Sequence, residues 1–471
     1  MIIMNIPADT PVESKPVKRS VLALGRVRRG SVAIPLFLLL LSAIVYPLWW
    51  KSAPIMGRDS EEYQAVAKDL IDHGSLTQMH FRCPGYPLLL VLTGSSETPT
   101  RLLFLITFGL YLASVYMLIS ILRHLELPGW CGVVLSLICI TPPFVEPSAY
   151  VMTEGLTTFL LVSAIWRLVV HADVRSSSIV AGILTGLAAL TRPTYQLLGL
   201  ALAGLLLCLH ETKKAVRMAL ASILIVGGFA CYNWIKFDCF AITPALGWNL
   251  STRTARFIER MPNGPMRDLL VAKRNEELLQ GDSHSAEEYV YRLKREMGKI
   301  TGLDEIGQGK YLLSLNRKLI LKFPLHYLEA VGHGAVAFWF PAYGTISNHD
   351  SKPVQLLWTL FHFVLIAVFF IQLIAIVGTA LTNGLPDATR RLTYPYVVGL
   401  VVIFYTMMLS CLIDVGNPRF RVPTDGVIVL VTLLGIEMWK RIRSEQTMIR
   451  MRQRKERALG PPRGSPAHQF N

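Results

Sequence analysis

Charged residues are scarce in this sequence: Asp, Glu, Lys and Arg make up 17% of its 471 residues, against 52% apolar. That balance excludes an ordinary soluble domain and a disordered chain. With a mean hydropathy of +0.43, it describes a polytopic membrane protein. Acids are scarcer than bases, 32 against 47, for a net charge of +15. A basic excess can mark a nucleic-acid partner, but its placement here argues otherwise. Residues 1–31 hold six Lys/Arg against two acids and residues 440–471 hold nine against two, so the tails carry +11 of the +15. Basic tails beside apolar runs are what the positive-inside rule gives for cytoplasmic ends, and no nucleic acid is expected. No C-x-x-C occurs among the seven cysteines, so neither a zinc site nor a redox motif is indicated. Cys131, Cys139, Cys208, Cys231 and Cys411 sit in or beside apolar runs and behave there as small hydrophobes. The first apolar run is not expected to be a cleavable signal: it starts only after about thirty residues and has no small-residue site before Trp49 and Trp50.

Long apolar runs are plentiful. Those at 32–50, 99–122, 128–146, 153–170, 177–191, 194–210, 217–235, 354–380, 394–414 and 423–439 predict an all-α polytopic bundle of about ten transmembrane helices, with room for eleven or twelve. An even number places both basic tails, 1–31 and 440–471, in the cytoplasm. Loops 171–176, 211–217 and 381–393, with Arg175, Lys213, Lys214, Arg217, Arg390 and Arg391, fall on that side. The chain then divides into an N-terminal transmembrane module, 32–235, whose first outer loop is 51–98; an outer region, 236–353; and C-terminal spans, 354–439. In the outer region, Ser285 and Glu288 form a capping box ahead of a soluble helix. The apolar stretch 325–345 carries Glu329, two His and three Gly, and reads as an interfacial helix.

The first outer loop raises a question. In "PIMGRDSEEYQAVAKDLIDHG", Tyr63, Val66, Ala67, Leu70 and Ile71 recur at helical spacing and Gly74 ends the pattern. This predicts an amphipathic helix along the membrane surface, opened by acids. Asp59 with Glu62 three residues on fits an N-cap and its capping-box partner; a rigidly held acid can equally be a catalyst. Glu154 opens the fourth span, with Glu146 earlier in its loop. The helix dipole favours an acid there, while an ionisable group at the mouth of a span is also kept where it faces a cavity. Arginines gather on the same side: Arg82 before the Pro84–Pro87 turn, Arg192 after the fifth span, Arg419 and Arg421 before the last. Each can pair with a headgroup or an acid. Several converging guanidiniums also form a seat for a phosphate. Acids and arginines at one membrane face point to chemistry on a phosphorylated lipid.

"GRDSEEYQAVAKDLIDHG" followed by "RCPGYPLLL", then "YVMTEGLTTFLL", "GILTGLAALTRPTYQLL", "YNWIKFDCFAITPALGWNL" and "GNPRFRVP", resembles the GT-C membrane glycosyltransferases. The likeness is to the dolichyl-phosphate-mannose protein mannosyltransferase and lipid A aminoarabinose transferase group, over about residues 32–440. The resemblance implies a transferase in the plasma (inner) membrane that moves a sugar from a polyprenyl-phosphate donor to an acceptor on the outer, periplasmic face: a protein, lipid A or an envelope glycan. It implies Asp59 as the catalytic carboxylate, Glu154 as the acid of the second outer loop, and Arg82 at the donor phosphate. Arg192, Arg419 and Arg421 are further phosphate candidates, and Tyr63, Tyr86, Asn233 and Asn249 are substrate-contacting candidates. Many relatives have Arg-Asn where this chain has Tyr232-Asn233, so one cation of the pattern is missing and Arg192 or Arg419 takes its place. No cofactor or metal is expected: the arginines supply positive charge, and His73, His80, His326, His333 and His349 do not have zinc spacing. The rival reading is a transporter or flippase of lipid-linked saccharides. Transporters place ionisable groups near mid-membrane, whereas here they stand at the outer ends of the spans, which favours an enzyme.

Overall fold

The computed structural model describes residues 30–49, 54–57, 59–279, 289–342 and 352–459. Among these residues the chain is helical, with one isolated parallel bridge between Ile55 and Tyr150. The Ser285–Glu288 capping box lies outside the described residues. The helices that matter below are α1 (Gly30–Trp49), α2 (Ser60–His73), α3 (Gly85–Leu92), α4 (Arg101–His124), α5 (Gly129–Cys139), α6 (Pro142–Val145), α7 (Glu154–Val170), α8 (Ser177–Thr191), α9 (Leu198–Cys208) and α10 (Thr212–Phe237). The polar segment contributes α11 (Leu246–Thr254), α12 (Pro265–Leu279), α13 (Lys294–Thr301), α14 (Glu305–Lys322) and α15 (Pro324–Phe338). Then come α16 (Lys352–Asn383), α17 (Arg390–Ile413) and α18 (Asp425–Leu459).

The chain is an all-α polytopic membrane protein. Among the described residues, five helices, α4, α10, α16, α17 and α18, are long and apolar enough to cross a bilayer. Each expected span coincides with helix, but not always with one full-length rod. The run 128–146 is broken: α5 and the stretch Pro142–Ser148 are bent by 74°. Pro142 and Pro143 explain the break, because neither has an N–H to continue the ladder and each ring clashes with the preceding turn. Counted as one bent span, the pair makes six. With 15 and 11 residues, α8 and α9 fall short of the roughly 20 needed for an unaided crossing. The last helix runs well past 439, where a basic tail was expected to begin.

Packing is tightest where side chains are smallest. α7 lies between α4 and α8, and α8 runs along α10. A Cβ on Gly186 would stand 2.7 Å from Ile225 Cβ, so glycine sets this approach. One core joins α4, α5, α7, α8, α9, α17 and α18. The polar segment has its own core around Trp248, Phe257, Leu270, Tyr289 and Leu312. Within it α15, at 15 residues, is a separate helix too short to span. All seven cysteines are free.

Candidate active site

The helix opened by Asp59 forms as its periodicity dictates. Tyr63, Val66 and Ala67 are buried, and Gly74 closes it with φ +67 and an N–H to the Leu70 carbonyl. Tyr63 and Ala67 pack with Tyr86 and Leu90 of α3, the two tyrosine rings edge-on at 5.3 Å. The start of α2 is fixed by a distant partner. The Ile55 N–H donates to the Ala149 carbonyl and the Val151 N–H to the Ile55 carbonyl, each at 2.9 Å. The buried Ser60 hydroxyl donates to the Val151 carbonyl at 2.8 Å. Ile55 and Ser60 are thereby stitched to 149–151, which brings Asp59 beside Glu154 at the start of α7.

Two more elements converge. The Pro84–Gly85 turn rests on the C-terminal end of α8, so closely that a Cβ on Gly85 would stand 2.7 Å from the Leu190 carbonyl oxygen. This puts Arg82 near Arg192, which follows α8 directly. The loop between α17 and α18 adds Arg419 from a 3₁₀ turn, Pro418–Phe420, capped by the Asn417 side chain.

The result is a chain of ion pairs. Asp59 Oδ1 accepts from Arg82 Nη2 at 2.9 Å and its Oδ2 from Arg419 Nη1 at 2.7 Å. Glu154 Oε1 accepts from Arg419 Nε at 2.6 Å and from Arg192 Nη1 at 3.4 Å. Arg82 Nε donates to Glu62 at 2.6 Å. The Arg82 guanidinium lies 5.3 Å from the Tyr63 ring centre and that of Arg192 lies 5.2 Å from Phe420, contacts that favour a cation. Burial is graded: the Glu154 side chain is 0% exposed, Asp59 17% and Arg82 30%. The site thus has a sealed floor and a half-open rim. Glu154 Oε2 has no hydrogen-bond partner. Glu154 also lines a small cavity of about 20 Å³ with Tyr111, Ser114, Thr158 and Asp425, large enough for about one water.

The capping box is not made. Asp59 is the N-cap residue, yet its side chain makes no capping bond, and Glu62 goes to Arg82. Charge-assisted bonds to two guanidiniums outcompete a neutral N–H. Of the expected residues, the structure brings together Asp59, Glu154, Arg82, Arg192 and Arg419, with Tyr63 against Arg82 and Tyr86 below. Arg421 points elsewhere: its Nε goes to Asp425 at 2.7 Å and its Nη1 to the carbonyls of Phe338 and Phe340 at 2.6 and 2.7 Å. Asn233 donates to the Ala241 carbonyl at 2.7 Å, and Asn249 accepts from the Tyr291 hydroxyl. Neither joins the ion-pair chain. Glu62 is the member whose partner sequence reasoning missed, since its spacing from Asp59 pointed to a cap. Among the described residues, no group of three or more His, Cys, Asp or Glu is placed to hold a metal ion.

No protein-family model and no curated protein matches the chain. Solved structures do. An oligosaccharyltransferase from Archaeoglobus fulgidus, AglB, in complex with an inhibitory peptide and a dolichol-phosphate, is 12% identical over 93% of this chain, with a TM-score of 0.47. The A. fulgidus oligosaccharyltransferase tethered to an acceptor peptide is 14% identical over 92%, with a TM-score of 0.49. This chain spans about half the length of both, 52%. ArnT from Cupriavidus metallidurans bound to undecaprenyl phosphate is 13% identical over 87% of this chain and 77% of its own, with a TM-score of 0.29. Two of these structures hold a lipid phosphate, dolichol-phosphate in one and undecaprenyl phosphate in the other.

Proposed function

We propose that the protein is an integral membrane glycosyltransferase that moves a sugar from a polyprenyl-phosphate donor to an acceptor hydroxyl at the outer face of the membrane. The observation that carries this reading is the carboxylate–guanidinium chain of Asp59, Glu154, Arg82, Arg192 and Arg419, assembled at helix ends from four distant parts of the sequence.

The chemistry follows from what such groups can do. Asp59, on the half-open rim, takes the proton of the acceptor hydroxyl. The acceptor oxygen attacks the anomeric carbon as the bond from that carbon to the phosphate oxygen breaks, and the bonding pair leaves with the lipid phosphate. The sugar develops oxocarbenium-like charge, as in glycoside hydrolysis. Arg82 and Arg419 receive the growing phosphate charge and stabilise the transition state more than the ground state. Glu154, sealed beneath, holds Arg419 and Arg192 in place. In the resting arrangement both Asp59 oxygens are bonded to guanidiniums, so an acceptor proton has to compete with them for the carboxylate. A donor phosphate competes for the same two arginines, so donor binding should release the base.

The test is transfer by the purified protein in bilayers, with polyprenyl-phosphate sugars as donors and extracted envelope material as acceptor. Mass spectrometry of envelope glycans from a loss-of-function strain should name the sugar. A protein that flips the donor across vesicles without cleaving it would instead be a transporter.

A further inference from the structure

Arg419 joins both carboxylates, yet it sits in a 3₁₀ turn of only three residues. What aims it comes from the polar segment. Arg253 is 1% exposed; it donates Nε to the Asp414 carbonyl at 2.9 Å and Nη1 to the Ala330 carbonyl at 2.5 Å. The Tyr327 hydroxyl donates to the Leu412 carbonyl at 2.7 Å. Gly416 has φ +69, and a Cβ there would lie 2.8 Å from Gly334 Cα. Arg421, also 1% exposed, bonds the Phe338 and Phe340 carbonyls and Asp425. Ala330, Gly334 and Phe338 are spaced i, i+4, i+8 and are the buried positions of α15. From Tyr327 to Phe338, α15 therefore meets the end of α17 and the loop that follows it.

We propose that Arg421 and Arg253 are positioning residues: two buried guanidiniums that clamp this loop onto α15 so that Arg419 meets Asp59 and Glu154. Arg421 takes up carbonyls at the C-terminal end of α15, which have no partner within the helix. Its charge is balanced by Asp425, as a buried cation requires. Two carbonyls and a carboxylate in three directions suit a planar fork, which lysine's point charge does not supply. The alternative is that the pair only stabilises the fold, with no bearing on Arg419. The catalytic half of the proposal rests on the glycosyl-transfer reading; the clamp itself does not.

The experiment uses the full-length protein in lipid nanodiscs. Arg421→Gln combined with Asp425→Asn removes both charges together, and Arg421→Lys is the conservative variant. Hydrogen exchange should rise at least about tenfold across 414–421 in the double variant, the behaviour of a segment released into local opening, with α7 unchanged. Transfer kcat/KM from the lipid donor should fall about tenfold or more, the scale of coupling within one network, and Arg421→Lys should recover part of it. In an Arg419→Lys background the same double change should cost less than about threefold, because residues acting through one group are not additive. Unchanged exchange in loop 414–421 would overturn the clamp. Equal losses in both backgrounds would overturn its action through Arg419. Should the wild-type protein transfer no polyprenyl-phosphate sugar, the functional reading fails while the exchange measurement still decides the clamp.

Discussion

Asp59 illustrates how one residue supports two readings until its neighbours are seen. Asn caps a helix about as well as Asp, and in the structure the Asp59 side chain makes no capping bond. Asp59→Asn should therefore leave α2 intact and lower turnover by about two to four orders of magnitude, the scale of losing a general base. Transfer assays on bilayer-reconstituted protein check this; a fully active variant would return the residue to a structural role. Glu154→Gln should lose activity through Arg419 and Arg192, with a rise in donor KM. Arg82→Ala should weaken use of the lipid donor, and Arg82→Lys should restore it only in part, since Lys cannot bridge Asp59 and Glu62 with a fork. At this scale the sequence was legible for the five residues whose chemistry stands out at helix ends. Arg419 and Arg421 could not be told apart. They are two positions apart, Arg419 inside the 3₁₀ turn Pro418–Phe420 and Arg421 directly after it, and only the carbonyls at the end of α15, far away in the chain, decide which one turns inward.

Among the elements, α2 and the turn after it depend on Asp69. Its carboxylate accepts from the Thr77 N–H at 2.8 Å, the Thr77 hydroxyl at 2.6 Å and His80 Nε2 at 3.0 Å. Burial pushes Asp69 up, but Thr77 and His80 outweigh it and bring the pKa from 3.8 to about 2. A depressed carboxylate contributes stability that is full above its unfolded pKa and is lost as pH falls through the folded one. The 69–80 turn should thus hold down to about pH 4 and loosen as pH drops toward 2. Asp69→Asn should loosen it at neutral pH and flatten that dependence, as followed by hydrogen exchange of residues 74–82. Gly85→Ala makes a second element-scale test. With the Leu190 carbonyl 2.7 Å from the new Cβ, it should cost about 1–3 kcal/mol and shift Arg82, seen as a lower melting temperature with a raised donor KM. Helix positions in the apolar parts of the chain were legible from apolar runs, whereas α11, α12 and α14 of the polar segment were not. The break at Pro142–Pro143 is masked by an apolar run of sufficient length, although proline signals it.

On the scale of the whole molecule, the basic tails and the short basic loops predict that Lys213 faces the cytoplasm and α2 the outside. Cysteine scanning on a cysteine-free background should use exposed positions. Asp72 and Lys213 are exposed, whereas Ser60 is fully buried and would not react from either side. An impermeant reagent applied to intact cells should label Asp72→Cys and not Lys213→Cys; the reverse pattern would invert the topology. The polar segment was legible as a separate region, but not its grip on the loop carrying Arg419. That grip depends on Arg253, a lone arginine in a helix that carries no local signal.

Arg82, Arg192 and Arg419 are each already held by a carboxylate in the resting site. A soluble anion arriving from water would have to break those pairs with its own contacts alone. A polyprenyl phosphate is delivered differently: its tail is already dissolved in the bilayer, which tethers the headgroup at high local concentration beside the site. If the proposed function holds, this internal neutrality works as a selectivity filter that needs no lid. Inorganic phosphate should be a poor inhibitor of transfer, while a lipid phosphate lacking the sugar should compete well.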